Sequence, residues 1–418
     1  MNLVKAAFHL VWMLVLACFV GVVTGAASWA LFEVLDQVTE VRVENGWIVW
    51  LLPIAALGLG AAYHYGGKTA NQGTSLVVRE SLPPALHSSS ETPPKIPYRM
   101  APMIFGATTV AQLAGASVGR EGAALQLGGS LVNFVMRPFR LGTHEMRLMI
   151  VSAVAGAFGG AFGVPVAGAI FALEVQQTGR LRYEALAPAF AASITADYFV
   201  EFLGRETPLV NVPVAHDWTM LLRLVVVGIV CGLVARGFVN GLHLVKKTVA
   251  SYVSWIPARP VVGAIATLGL MLLFGRDYLG LSLPLIDGAI AGEYIDWWVP
   301  VLKFVFTVVA LGCSIPGGEV TPLFVIGATL GSAMSGMLNL DAALCASVAA
   351  AAVFGAASNT PIACIVLTVE LFGADMAVPA AVVIFLAYTL SPRQGIYEAQ
   401  QMGSTKDLRA SAIPRRQS

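Results

Sequence analysis

Two glutamates are each flanked by glycines and followed by an apolar run. Glu121 lies in Gly115-Ala-Ser-Val-Gly119-Arg120-Glu121-Gly122-Ala-Ala-Leu-Gln126-Leu-Gly128-Gly129, and Glu319 in Gly312-Cys-Ser-Ile-Pro-Gly317-Gly318-Glu319-Val320-Thr321-Pro322. Glycine allows close backbone approach and positive φ. A helix start offers unpaired N–H groups and the positive end of the helix dipole, which together favour an anion. A carboxylate in apolar surroundings is costly unless it is hydrogen-bonded, paired or protonated. Amides able to hold an anion are able to hold Glu121, and protonation would release them. The pattern therefore links proton movement to anion movement. The competing reading is a glutamate that only caps amides at an aqueous boundary. Glu319 offers a second proton carrier and Thr321 a hydroxyl, while Pro322 suits an early helical position. Ordinary capping competes there too.

A third element is Ala357-Ser358-Asn359-Thr360-Pro361, which resembles Gly163-Val164-Pro165. Ser358, Asn359 and Thr360 are expected as helix caps. Both prolines sit in longer similar stretches, from Ser152 to Glu174 and from Ser347 to Glu370. Pro165 matches Pro361 and Glu174 matches Glu370, each pair 196 residues apart. Glu174 and Glu370 read as structural acceptors for a neighbouring helix end or an arginine. With Glu121 and Glu319 upstream, the chain reads as two related halves, roughly 1–205 and 215–400. Substrate sites in such transporters lie where matched broken helices meet.

The elements that position these residues are apolar. Of 418 residues, 57% are hydrophobic and 12% charged, where soluble domains carry roughly a quarter charged. Lipid is the solvent that accommodates this composition. Apolar segments run over 7–32, 47–66, 102–118, 121–138, 148–175, 185–203, 219–246, 258–275, 298–313, 322–338, 341–372 and 375–390. Several exceed the ~20 residues that span a bilayer; others are short or interrupted by Gly and Pro, so tilted and broken helices are expected. The first reads as a retained spanning helix, longer than a signal peptide. Lys68 to Tyr98 reads as an aqueous loop, Gly204–Trp218 as a second polar patch, and 401–418 as a short polar tail too small for a regulatory domain. Trp47, Trp50, Trp218, Trp255, Trp297 and Trp298 stand near segment ends, as interface anchors do. Arg137, Arg140 and Arg147 form one basic cluster, Arg180 and Arg182 another. A net charge of +1 without a basic block speaks against nucleic acid. Neither the five cysteines nor the six histidines have metal-ligand spacing. No cofactor is implied, and no nucleophile–base pair supports a membrane enzyme.

Taken together, Gly119-Arg120-Glu121-Gly122 and Gly318-Glu319-Val320-Thr321-Pro322 resemble motifs of the voltage-gated chloride channel (CLC) family, and the resemblance spans about 10 to 400. The departures are specific. Thr74, in Gly73-Thr74-Ser75-Leu76, stands where the family has a serine followed by proline. Ala123 replaces a proline after the central motif, Val175 takes the place of an internal proton glutamate, and Glu319 stands at an apolar position. These features resemble the family's fluoride/proton antiporter branch.

That resemblance implies an all-α, multi-pass fold with two inverted-topology repeats and many tilted helices. It further implies a homodimer with one pathway per subunit, in a bacterial inner membrane and in contact with lipid. Fluoride would leave as protons enter; chloride/proton antiport or a chloride channel is the alternative. By the same resemblance, Glu121, Glu319 and Thr321 would serve transport and gating. Gly119, Arg120, Gly122, Thr74, Val320 and Tyr397 would line the anion site. Pro322, Asn359, Pro165, Pro361, Glu174 and Glu370 would be structural.

Overall fold

The computed structural model describes residues 3–83, 95–205, 210–212, 214 and 217–402. Among them are sixteen α-helices, which fall into two series of eight. The first series is α1 (Leu3–Glu44), α2 (Leu52–Ala61), α3 (Thr74–Ser81), α4 (Met100–Leu113), α5 (Glu121–Val135), α6 (Thr143–Phe162), α7 (Pro165–Glu174) and α8 (Leu186–Phe202). The second is α9 (Trp218–Tyr252), α10 (Arg259–Phe274), α11 (Leu283–Ile290), α12 (Trp298–Gly312), α13 (Val320–Leu338), α14 (Ala342–Ser358), α15 (Pro361–Phe372) and α16 (Ala377–Leu390). Each member of the first has a counterpart at the same place in the second. Six stretches are long and apolar enough to cross a membrane, including all of α1, α6, α9 and α13. The six tryptophans expected at interfaces are exposed. Both basic clusters meet at Glu184, which pairs with Arg147 at 2.6 Å and Arg182 at 3.8 Å.

Two of the apolar segments are broken at their prolines, as expected, and by one device. The stretch 148–175 divides at Gly163 (φ +67), and 341–372 at Asn359 (φ +58). In each a left-handed residue closes one helix, a single residue follows, and proline opens the next. Asparagine tolerates the left-handed region better than most non-glycine residues, so Asn359 does in one half what glycine does in the other. The expected N-caps are therefore corrected. Asn359 ends α14, and Thr360 makes no side-chain cap to α15. The Asn359 amide instead donates to the Arg393 carbonyl and Gln400 Oε1, each at 3.1 Å, holding down the chain beyond α16.

The open amides after each proline are taken by a glutamate of the other half. Glu174 accepts from Ile362 and Ala363 N–H at 3.1 and 2.8 Å. Glu370 accepts from Val166 and Ala167 N–H at 2.9 and 2.7 Å. Reciprocal contacts of this kind are what a two-fold relation between halves requires. Phe158 and Phe354, again matched in the repeat, lie 6.3 Å apart between ring centres, with Phe171 and Phe324 stacked against them. This aromatic cluster is the middle of the core.

Two other expectations change. The proposed aqueous loop contains α3, whose Leu76, Val77 and Val78 are buried; residues 84–94 of that segment lie outside the described residues. The polar tail begins with a short parallel pairing of β2 (Gln401–Met402) with β1 (Gln177–Thr178), and 403–418 lie outside the described residues. The other polar patch also has an anchor, since Val210 and Val212 N–H donate to Leu371 and Phe372 carbonyls at 3.1 Å.

Each capping carboxylate receives two charge-assisted hydrogen bonds, and such bonds contribute roughly 1.5–3 kcal/mol each. Glu174→Ala is expected to cost about 3 kcal/mol or more of stability, read as a lower melting temperature in detergent. Half-buried Glu370 should give a smaller loss on the same substitution. An unchanged melting temperature for Glu174→Ala would contradict the capping role.

Candidate functional site

The loops Gly115–Arg120 and Cys313–Glu319 meet backbone to backbone. Gly119 N–H donates to the Gly318 carbonyl at 2.5 Å, and Gly318 N–H to the Gly119 carbonyl at 2.8 Å. Side chains are excluded here. A Cβ on Gly119 would lie 2.8 Å from Pro322 Cδ and 2.9 Å from Gly318 O, and one on Gly318 2.8 Å from Gly122 N. This contact sets α5 and α13 start to start.

Glu121 opens α5 and is 4% exposed. Its carboxylate is held mainly by the other half, with one bond from the N-cap of its own helix. Oε2 accepts from Thr321 N–H at 3.1 Å, from the Thr321 hydroxyl, and from Arg120 N–H at 3.3 Å. Thr321 lies in the first turn of α13, where unpaired amides and the dipole favour negative charge. The carboxylate thus occupies a place where an anion would bind. Glu319 is the residue just before α13, yet its side chain makes no capping bond. It faces a cavity of about 750 Å³ shared with Thr74, Gln126, Gly317, Tyr397 and Glu398.

The other expected residues divide by location. Thr74 opens α3 and is buried, and Tyr397 is 1% exposed with its ring edge-on to Phe171 at 6.3 Å. Tyr397 Oη has no hydrogen-bond partner among the described residues. Gly122 packs against the Gly318 backbone, where an added Cβ would stand 3.0 Å from Gly318 Cα and 3.6 Å from both Glu319 Oε2 and Thr74 Oγ1. Val320 is buried as the first residue of α13, and Pro322 follows within the same turn. Gly119 and Arg120 depart from expectation. The Gly119 N–H is engaged by Gly318 and is not open to an anion. The Arg120 side chain turns away, because Asp36 holds it at 2.9 Å and also binds Arg205 at 3.0 Å. Both guanidinium groups lie over Phe32, at 4.2 and 5.2 Å. Arg120 Nε remains 3.6 Å from Glu121 Oε1.

Three side chains that sequence reasoning missed hold the first loop. Lys303 on α12 is fully buried, and its three N–H donors are shared among Ser117 Oγ, Tyr278 O, Gly280 O and Ser282 Oγ, all 2.8–3.2 Å from Nζ. Gln112 Nε2 donates to Val118 O at 2.5 Å, and Arg42 Nη1 to Gln112 O at 2.9 Å. A lone lysine inside the apolar run 298–313 was the available signal, since ionisable groups in membrane helices have tasks. Among the described residues no cluster of His, Cys, Asp and Glu is arranged to hold a metal.

The profile of the family described as "Voltage gated chloride channel" matches residues 79–392. The chain belongs to the voltage-gated chloride channel family. It is 38% identical to the "Chloride/fluoride channel protein" of Pseudomonas syringae pv. tomato, over 95% of this chain and 88% of that protein. It is 27% identical to the "H(+)/Cl(-) exchange transporter ClcA" of Cronobacter sakazakii, over 86% of this chain and 81% of that one. A crystal structure of a CLC-type fluoride/proton antiporter superposes with a TM-score of 0.88 at 30% identity, covering 95% of this chain and 99% of the other. The two series of eight helices are therefore the inverted-topology repeats of the CLC fold, and the chain is a multi-pass membrane protein.

Gly119→Ala is expected to cost about 1–3 kcal/mol of stability through overpacking. It should also lower anion flux in liposomes by displacing Glu121 from Thr321. Gly58→Ala is the control, because a Cβ there meets nothing within 4 Å. Equal behaviour of the two variants would show that the glycine contact does not set the site.

Proposed function

We propose that this protein exports fluoride across a bacterial inner membrane in exchange for protons moving inward. The observation that carries the reading is the Glu121 carboxylate seated on the Thr321 amide and hydroxyl at the start of α13. A carboxylate and a small inorganic anion compete for those donors. Protonation removes the charge of Glu121, weakens its hold on Thr321 and frees the amide for the anion. Glu319, two residues before Thr321 and facing the cavity, passes the proton between Glu121 and water. Thr321 serves both states, since its hydroxyl can turn from the carboxylate to the ion. Thr74, Gly122, Val320 and Tyr397 bound the anion's route, and Gly119 and Arg120 support it from behind.

Fluoride is supported as the cargo by the antiporter of high structural similarity. The run Gly317-Gly-Glu-Val-Thr-Pro-Leu-Phe324, with a carboxylate at Glu319, supports it too. A small, strongly hydrated anion needs dense donors to replace its water. Chloride/proton exchange is the second reading, favoured by the likeness to the exchange transporter. Two copies of the chain are proposed to associate in lipid, each with its own pathway. Exposed Tyr198, Phe202, Ile362 and Phe385 on α8, α15 and α16 offer apolar surface for that contact. No enzymatic step and no cofactor enter this scheme, and the matched halves 1–205 and 215–400 work as one transmembrane unit.

Fluoride and chloride fluxes from proteoliposomes, recorded together with proton movement, test the proposal. The wild type is expected to move fluoride in preference to chloride and to drag protons against the anion. Glu121→Gln should abolish proton movement and either block or uncouple the anion. Glu319→Gln should lower proton movement with less effect on anion binding. Proton-coupled transport that survives Glu121→Gln unchanged would remove the mechanism, and chloride preferred over fluoride would move the assignment to the second reading.

A further inference from the structure

Gln126 is a buried polar side chain on the pathway that the exchange scheme leaves without a task. It lies on α5, five residues beyond Glu121, is 6% exposed, and lines the cavity with Thr74, Glu319 and Tyr397. Its Nε2 donates to Thr74 Oγ1 at 3.2 Å, and Thr74 Oγ1 donates onward to the Gly122 carbonyl at 3.5 Å. A threonine hydroxyl has one proton to give, whereas a carboxamide nitrogen has two. With its proton directed to Gly122, Thr74 presents only lone pairs to the cavity. It can hold an amide in place, but it cannot donate to an anion at the same time. Gln126 keeps one N–H beyond the one that Thr74 takes.

Gln126 borders a cavity of about 750 Å³. Gly73, at φ +56, flanks the amide, and a Cβ there would be 3.5 Å from Nε2. Gly122 packs against the Gly318 backbone, where a Cβ would meet Gly318 Cα at 3.0 Å, and Thr74 Oγ1 and Glu319 Oε2 flank the same position at 3.6 Å. Tyr397 brings a buried hydroxyl without a partner among the described residues to the same cavity. Two neutral donors, Gln126 and Tyr397, and one carboxyl group, Glu319, thus line one cavity.

We propose that Gln126 is an anion-binding residue at the cavity end of the pathway, and that Thr74 is its holder and not itself the ligand. The assignment rests on the transport reading above and names the substrate class as a small inorganic anion that accepts hydrogen bonds strongly. Neutral donors suit a transported ion, which must enter readily and also leave. Glu319 in the same cavity makes the site conditional. As a carboxylate it repels the anion held by Gln126; once protonated it admits the anion and adds a donor.

The test uses the full-length protein, with fluoride binding measured by titration calorimetry in detergent and fluoride flux in liposomes. Gln126→Leu is expected to weaken fluoride binding about tenfold or more, the effect of losing one hydrogen bond to a charged group, and to slow fluoride flux in step. Thr74→Val, which removes only the holder, should have the smaller effect on both. Gln126→Met replaces Gln126→Leu if gel filtration shows the latter misfolded. Fluoride binding by the Gln126 variant within about twofold of wild type, or a larger loss in Thr74→Val, overturns the assignment while the wild type still transports. A wild type that moves neither fluoride nor chloride removes the transport reading and this assignment with it.

Discussion

A carboxylate from one half of the chain rests on an amide and a hydroxyl in the first turn of a helix from the other half. Glu121 and Thr321 make this contact, and much of the remaining structure keeps their two helix starts facing each other. In lipid-surrounded protein an unsatisfied N–H and an unpaired carboxylate are each costly, so bringing them together resolves two problems at once. It also makes the contact exchangeable. Any anion that reaches α13 meets the same donors, and any proton that reaches Glu121 removes its claim on them. The Gly119–Gly318 backbone pair and the lysine at position 303 both serve to fix where these helix starts fall.

Two-fold repetition explains how a single chain builds such a site without a separate scaffold. A helix that breaks inside the membrane exposes amides on one side of the break. In one copy those amides would remain open. With two copies facing each other, each supplies the glutamate that the other lacks, as Glu174 and Glu370 do. The same relation brings Phe158 against Phe354 and joins the glycine loops. The copies have diverged where the site is asymmetric. Glu121 lies within α5 and reaches across, whereas Glu319 stops one residue short of α13 and turns to the cavity.

Much of this was legible in the sequence because it rests on residue types that have few alternatives. Glycine beside an acid, proline after a short break, and a 196-residue repeat of both mark where backbone must come close and where helices must restart. What was not legible depended on which partner a side chain finds. Arg120 reads as an anion ligand until Asp36, distant in sequence and also bound to Arg205, draws it aside. Gly119 looks like an open amide until Gly318 takes it. Asn359 looks like a helix start because asparagine caps helices, but its backbone is left-handed and its amide serves the chain beyond α16. The helix α3 was hidden because a polar stretch with prolines follows it, although Leu76, Val77 and Val78 already pointed to burial.

Glu121, Glu319, Glu174 and Glu370 differ in a way that separates structural from mobile carboxylates. Glu174 and Glu370 each engage both oxygens with two consecutive amides of one helix, and for either to leave, two backbone donors would be stranded. Glu121 is held through a single oxygen. One of its donors is a rotatable hydroxyl, and its second oxygen stands 3.6 Å from an arginine that already has an acid partner. Glu319 makes no capping bond at all and faces open space. Holding strength thus falls from the paired caps to Glu121 and then to Glu319. That is the order needed if the first pair is to keep the broken helices in place while the other two change partners. The fold can therefore tolerate repeated release of Glu121, because the amides that would otherwise let α7 and α15 drift are secured by carboxylates with no reason to move.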